Sequence, residues 1–144
     1  QAQAIASCLA FFSDLKTPVI TLVIGEGGSG GALAMSVCDE WIMLENAVYS
    51  ILSPEGFASI LWKDASLAQK ASEAMKMTSY DLEAKSLVDW IVPEPDQGIQ
   101  SDAMAVMAQI QTHLIDKFQT LLKVKPNELV RLRQKKIRKM GVPA

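Results

Sequence analysis

The sequence predicts an α/β fold with a helical C-terminal appendage, and three observations carry that reading. Pro18 to Ile24 (PVITLVI) is a nearly unbroken β-branched apolar run, the kind buried on both faces of a parallel sheet. A glycine-rich turn, Gly25 to Gly31, joins that run to the helix-compatible stretch Ala32 to Val37. Long helical patterns come last, after the polar turn Asp96 to Ser101, and no internal repeat is evident. A chain of 144 residues, 49% of them hydrophobic, is the size of one domain with enough apolar side chains for a core. Ordinary Gly and Pro content and 21% charged residues exclude a disordered chain.

Ala4, Ile5, Cys8, Leu9 and Phe12 recur at helical spacing, and Pro18 ends that helix near Lys16 by disfavouring helix at Thr17. Beyond the glycine turn, Trp41 to Leu44 and Val48 to Leu52 read as short strands. Ser53, Pro54 and Glu55 form a helix start: a capping hydroxyl, a proline suited to the first position, and a carboxylate facing the positive dipole end. That helix carries Phe57, Ile60, Leu61 and Trp62. Ala65 to Met75 and Tyr80 to Ser86 are helical in pattern, and Val88 to Val92 reads as a strand closed by Pro93 and Pro95. Met104, Met107, Ile110, Leu114, Phe118, Leu121 and Leu122 trace a long amphipathic helix, and Pro126 and Asn127 open a last helix rich in Arg and Lys.

The net charge of −2 neither favours nor excludes nucleic acid. Cys8 and Cys38 lack CxxC spacing and a neighbouring histidine, so both read as buried reduced thiols of a cytosolic protein, with no metal site expected. No signal peptide and no apolar run of about 18 residues is visible, so no membrane span is expected, and the start at Gln1 reads as that of a fragment.

The chemistry hangs on Gly25-Glu26-Gly27-Gly28-Ser29-Gly30-Gly31, in which five of seven residues are glycine. Glycines at a strand-to-helix junction allow positive φ and close backbone approach to a ligand, and the free N–H groups of the next helix can face an anion. A tight turn with close helix–strand packing is the structural alternative. Gly25-x-Gly27-x-x-Gly30 matches a dinucleotide-binding fingerprint, with Glu45 lying 20 residues beyond Gly25. Against it, Glu26 puts a carboxylate where a pyrophosphate would sit, and few further strands follow. Gly27-x-Ser29-x-Gly31 matches a hydrolase nucleophile elbow, with His113 as the sole candidate base. In a third reading the loop is an oxyanion hole without a protein nucleophile: amides near Gly30 and Gly31 stabilise charge on an oxygen of a thioester or ureido group. The few acid–base candidates then need no explanation, because the cofactor carries the chemistry.

Ile24 to Ala34 (IGEGGSGGALA), Met43 to Asn46, Tyr49, Ser53 to Gly56 (SPEG), Ala58 to Lys63 (ASILWK) and Ile91 to Pro95 (IVPEP) together resemble the α subunit of the bacterial and plastid multisubunit acetyl-CoA carboxylase carboxyltransferase. The resemblance runs in order from Gln1 to Pro95 and thins in the tail. It implies a crotonase-like (ClpP/crotonase) α/β fold with a helical C-terminal extension, residues 1–95 being the C-terminal part of the core and 96–144 the extension. It further implies an α2β2 assembly with a homologous β subunit, a biotin carboxyl carrier protein bringing carboxybiotin as co-substrate, and biotin carboxylase in the larger complex. The implied reaction carries the carboxyl group to acetyl-CoA, giving malonyl-CoA for fatty acid synthesis in the cytoplasm. No cofactor is implied as covalently bound to this chain. Carried over by position, Gly30 and Gly31 supply the oxyanion amides for the ureido oxygen of biotin. Gly27, Gly28 and Ser29 are the next candidates, and Ser53, Pro54, Glu55 and Gly56 line the pocket edge or simply cap a helix.

Trp41 and Trp62 read as core or subunit interface rather than ligand stackers, and Met104 and Met107 as facing the core or a partner. The basic run Arg131, Arg133, Lys135, Lys136, Arg138 and Lys139 reads as a solvated helix face, with CoA phosphates, an acidic carrier or nucleic acid as alternatives. No aromatic residues interleave with it as single-strand binding would require.

Overall fold

The computed structural model describes residues 2–140. Helix α1 (Ala2–Asp14) stops ahead of Pro18, and β1 (Ile20–Val23) follows. The glycine segment is part strand and part helix: β2 (Glu26–Gly28) runs straight into α2 (Ser29–Met35). Then come β3 (Glu40–Leu44), β4 (Val48–Ser50), α3 (Pro54–Trp62), a 3-10 turn (Ala65–Leu67), α4 (Ala68–Met75), α5 (Ser79–Glu83), β5 (Trp90–Val92), a second 3-10 turn (Ile99–Ser101), α6 (Ala103–Leu121) and α7 (Pro126–Lys139).

Strands β1, β3 and β5 form a parallel sheet in that order, and β2 pairs in parallel with β4 as a separate ribbon. The strand buried along its whole length is β3, not the expected Pro18–Ile24 run. The reason is pairing: β1 has β3 on one side and, among the described residues, no strand on the other. Only Thr21 of β1 is fully buried, and Ile24 lies beyond the strand, 71% exposed. The core gathers Trp41, Ile42, Met43 and Leu44 of β3 with Leu82, Val88, Val92, Val106 and Ile110. Trp41 is core as expected, stacked edge-on against Tyr49. Trp62 is half-buried, packed edge-on against Phe57 and beneath Lys70.

Helix α6 faces the sheet with only part of the stripe its sequence marks, Ile110 and Leu114, together with Val106. Val106 and Ile110 enter the core, while Met104 and Met107 are exposed, so of the two expected roles for these methionines, facing the core or a partner, the core is excluded. The rotation follows from a polar requirement at the sheet. Glu40, buried at the start of β3, has His113 Nε2 2.5 Å from Oε1 and Lys117 Nζ 2.9 Å from Oε2, the latter a charge contact without hydrogen-bond alignment. His113 also stacks on Trp90, with centroids 3.9 Å apart and planes 13° off parallel. A buried carboxylate needs a cation and polar partners, and α6 turns the face that carries Lys117 and His113 toward it.

The basic last helix is not simply a solvated face. Arg131 pairs with Glu128 on its own helix, and Lys135, Arg138 and Lys139 are exposed, but Arg133 is fully buried. Its Nε and Nη2 donate to the Asp39 carboxylate at 2.9 and 2.7 Å, Nη1 to Phe12 O and Leu15 O at 2.7 Å each, and Nη2 to Thr17 O at 2.8 Å. Asp39 Oδ2 also accepts from Val19 N at 2.8 Å. Lys136 reaches Asp39 O and the Asp89 carboxylate, which itself accepts from Trp41 N. The C-terminus of α1 and the leading ends of all three sheet strands are therefore tied to α7. Cysteines divide: Cys38 is buried, where desolvation pushes its thiol up to about 11, whereas Cys8 is exposed. Helix α1 packs through Ile5, Leu9 and Phe12, which leaves Cys8 at the flank of the contact stripe.

Replacing Arg133 by Met leaves the Asp39 carboxylate buried without its partner and should cost about 3–5 kcal/mol of stability. Urea unfolding checks this, with Arg131→Ala as the exposed control whose midpoint stays in place.

Candidate functional site

The site is built where β1 gives way to the glycine segment. Strand β2 lies against β4 in the register Glu26↔Val48, Gly27↔Tyr49, Gly28↔Ser50, and Val48 N donates to Gly25 O at 3.0 Å. A Cβ on Gly27 would sit 2.8 Å from Tyr49 Cδ2, so glycine is what lets the ribbon close over that ring. The expected positive φ of the loop glycines is absent: among the described glycines only Gly98 has one. Ser29 carries it instead, at φ 61, a strain of order 1–3 kcal/mol at the strand-to-helix junction. The pairing with β4 explains this, because it holds Gly27 and Gly28 extended and leaves the chain to turn within one residue.

Helix α2 starts at Ser29 with extended Gly28 as its N-cap and no side-chain cap. The amides of its first turn, those of Gly30 and Gly31 among them, therefore have no acceptor four residues back within the helix. The partner strand β4 leads to a second helix start. Ser53 caps α3, its Oγ accepting from Gly56 N at 3.2 Å, with Pro54 in the first turn and Glu55 exposed beside it. Because Gly28 pairs with Ser50, the N-termini of α2 and α3 emerge at the same end of the β2–β4 ribbon. All nine residues expected at the site (Gly27, Gly28, Ser29, Gly30, Gly31, Ser53, Pro54, Glu55 and Gly56) thus lie at or just beyond that end. A cleft of about 480 Å³ runs alongside, lined by β1, Gly25 to Gly28, Ala32, Met35 and Tyr49. Burial raises the Tyr49 phenol above its ordinary range.

The rim of the sheet next to the ribbon is held by Glu45. Its N–H donates to Val92 O at 2.9 Å and its carbonyl accepts from Ser79 Oγ at 2.6 Å. Of its carboxylate oxygens, Oε1 accepts from Tyr80 OH at 2.5 Å and Oε2 from Glu94 N at 2.9 Å. Glu94 Oε2 in return accepts from Asn46 N at 2.8 Å. The Glu94 amide and then the Tyr80 hydroxyl hold the Glu45 carboxyl below its usual range, while Glu45 pushes the Tyr80 phenol up. Among the described residues no group of three His, Cys, Asp or Glu side chains is placed to hold a metal ion.

A family profile described as acetyl co-enzyme A carboxylase carboxyltransferase-like matches residues 1–141. The chain belongs to this family. It is 51% identical over 141 residues to an acetyl-coenzyme A carboxylase carboxyl transferase subunit alpha of Clostridium acetobutylicum, covering 98% of this chain and 52% of the relative. The subunit alpha of Listeria monocytogenes is 46% identical over 142 residues, covering 99% and 45%. In Natranaerobius thermophilus a protein named as subunits beta/alpha is 50% identical over 141 residues, covering 98% of this chain and 23% of that one. The chain therefore spans about half the length of the α-subunit relatives it matches. Among solved structures, a Pseudomonas malonate decarboxylase heterodimer superposes with a TM-score of 0.70 at 17% identity, covering 96% of this chain and 58% of that one. The transcarboxylase 12S core superposes at 0.55 with 22% identity, covering 64% and 20%. These likenesses show the crotonase-like α/β fold.

Family membership overturns the dinucleotide reading, and the geometry agrees. Both carboxylate oxygens of Glu45, the expected ribose ligand, are engaged by the protein itself. The hydrolase reading fails on distance along the sheet. Ser29 lies beyond the far end of β1, whereas His113 is bound to Glu40, which pairs with Ile20 at the near end. Two residues that shape the glycine segment, Tyr49 against Gly27 and Ile5 against Gly30, were not singled out for that role from sequence. No local pattern marks them, since each contact joins elements distant in the chain.

A carboxyl whose folded pKa is depressed stabilises the fold above its unfolded value, and that stability is lost as pH falls through the folded one. The unfolding temperature should therefore fall as pH drops below the ordinary Glu value of 4.5. Tyr80→Phe, which removes one of the two bonds holding the Glu45 carboxylate, should flatten that acid limb; melting curves between about pH 6 and 3 check it.

Proposed function

We propose that this chain is the C-terminal part of a carboxyltransferase α subunit. Paired with a β subunit as α2β2, it moves the carboxyl group of carboxybiotin to acetyl-CoA and yields malonyl-CoA for fatty acid synthesis. The observation that carries this reading is the uncapped first turn of α2, whose Gly30 and Gly31 amides stand free at the end of the β2–β4 ribbon. Family membership and the names of the relatives support it.

The chemistry follows from where charge develops. When the N–CO2 bond of carboxybiotin breaks, negative charge grows on the ureido oxygen, and two aimed backbone donors stabilise it as it forms. Such donors are fixed in advance and need no reorganisation at the moment of reaction. The new bond forms at the methyl carbon of acetyl-CoA, and the proton that carbon loses goes to the biotin nitrogen freed of its carboxyl group. No side-chain base is needed, which suits a ribbon end built largely from backbone and small residues. Gly27, Gly28 and Ser29 approach the same oxygen from the ribbon side, and Ser53 to Gly56 form the facing edge, with Ser53 Oγ already holding Gly56 N. The β subunit supplies the hole for the enolate oxygen of acetyl-CoA, so this chain alone is inactive. The biotin arrives on its carrier protein, with biotin carboxylase in the larger complex, in the cytoplasm. No described helix is long and apolar enough to cross a membrane.

Carboxyl transfer from malonyl-CoA to a soluble biotin derivative, by the full-length subunit with its β partner, tests this. Gly30→Val drives a side chain into Ile5 and displaces the first turn, so kcat should drop by about 10²–10³, the loss of one oxyanion donor. Unchanged transfer in that variant would remove the oxyanion role.

A further inference from the structure

Gly30 and Gly31 are neighbours in the first turn of α2, yet they face different surroundings. A Cβ on Gly31 would meet nothing within 4 Å, whereas one on Gly30 would lie 2.8 Å from Ile5 Cδ1. The next Ile5 atoms, Cγ2 and Cγ1, stand at 3.7 and 3.9 Å, which is ordinary contact. The terminal methyl of Ile5 therefore occupies the space a side chain at Gly30 would need. Ile5 is β-branched and helical, so one strongly preferred χ1 fixes its branch point, and χ2 sets where the methyl lies. Helix α1 is itself fixed at its other end, where Arg133 binds Phe12 O and Leu15 O.

We propose that Ile5 is a positioning residue for the oxyanion amides: its Cδ1 methyl sets the height of the Gly30 backbone and so the aim of the Gly30 and Gly31 N–H groups. It touches no substrate, and the inference rests on the function proposed above. The absence of a side chain at Gly30 then serves the α1 contact, while the open side of Gly31 is left for the ligand.

The contact can be exchanged one methyl for another. Ile5→Val removes Cδ1 alone, and Gly30→Ala adds a methyl 2.8 Å from where Cδ1 stood, so the double variant conserves volume across the interface. Carboxyl transfer is measured for all four proteins as full-length subunit with β partner, with melting temperatures alongside. Gly30→Ala should lower kcat about tenfold or more while KM for the biotin derivative holds within about twofold, the sign of a transition-state interaction lost. Ile5→Val/Gly30→Ala should recover at least about fivefold of that loss, and the melting temperatures should be non-additive. A double variant no more active than Gly30→Ala, or additive melting temperatures, would overturn the positioning role. If the wild-type complex transfers no carboxyl group, the proposed function falls and positioning with it, while non-additive melting would still record the contact as structural.

Discussion

Arg133 places all five guanidinium donors inside the protein, two on the Asp39 carboxylate and three on the carbonyls of Phe12, Leu15 and Thr17. Those carbonyls belong to the last turn of α1 and the residues leading from it, groups a helix leaves without intrahelical partners. One side chain from the end of the chain thereby finishes the first helix, and its carboxylate partner holds Val19 N at the entry to β1. Bidentate geometry and complete satisfaction of donors are what make so deeply buried a charge tolerable. What depends on it is not only stability. Helix α1 packs on α2, and α2 begins with the turn that carries Gly30 and Gly31.

The two ends of the sheet are built from different interactions. At the leading ends of β1, β3 and β5, charges meet in pairs, Arg133 with Asp39, Lys136 with Asp89 and Lys117 with Glu40, and His113 adds a polar contact to Glu40. At the trailing ends, Glu45 and Glu94 exchange hydrogen bonds with backbone amides, and the ribbon joining β2 to β4 is largely main chain. The proposed backbone hole would suit a reaction whose proton has somewhere to go on the substrate itself.

Much of this was legible in the sequence, and the parts that were not share a cause. Ser53-Pro54-Glu55 reads as a helix start because capping is local, and Ser53 caps α3 as written. The strand–glycine–helix order is equally local, and so is the helical stripe of α1. Burial of β1 on both faces was not borne out in the described residues, because apolar content marks what a strand tolerates and not whether a neighbour lies beside it. The core-facing stripe of α6 was only partly legible, because hydrophobicity marks Ile110 and Leu114 but not His113, the partner that buried Glu40 draws in. Arg133 looked like one charge in a basic run, and nothing within that run distinguishes the residue that finds Asp39, 94 positions away. Family motifs located the glycine segment, but that Ser29 carries the positive φ while the glycines beside it are extended or helical follows only from the pairing of β2 with β4.

At the end of the β2–β4 ribbon, the Gly30 and Gly31 amides are proposed to receive an oxygen anion equivalent in position to the biotin ureido oxygen. The most direct measurement is the backbone amide spectrum of the full-length, 15N-glycine-labelled subunit with its β partner, titrated with a soluble biotin derivative. Gly30 and Gly31 should both shift downfield with a single saturation curve, while Gly98, whose amide already donates to Pro95 O at 2.7 Å, stays put. Saturable binding that moves other resonances and leaves those two unchanged would contradict the account.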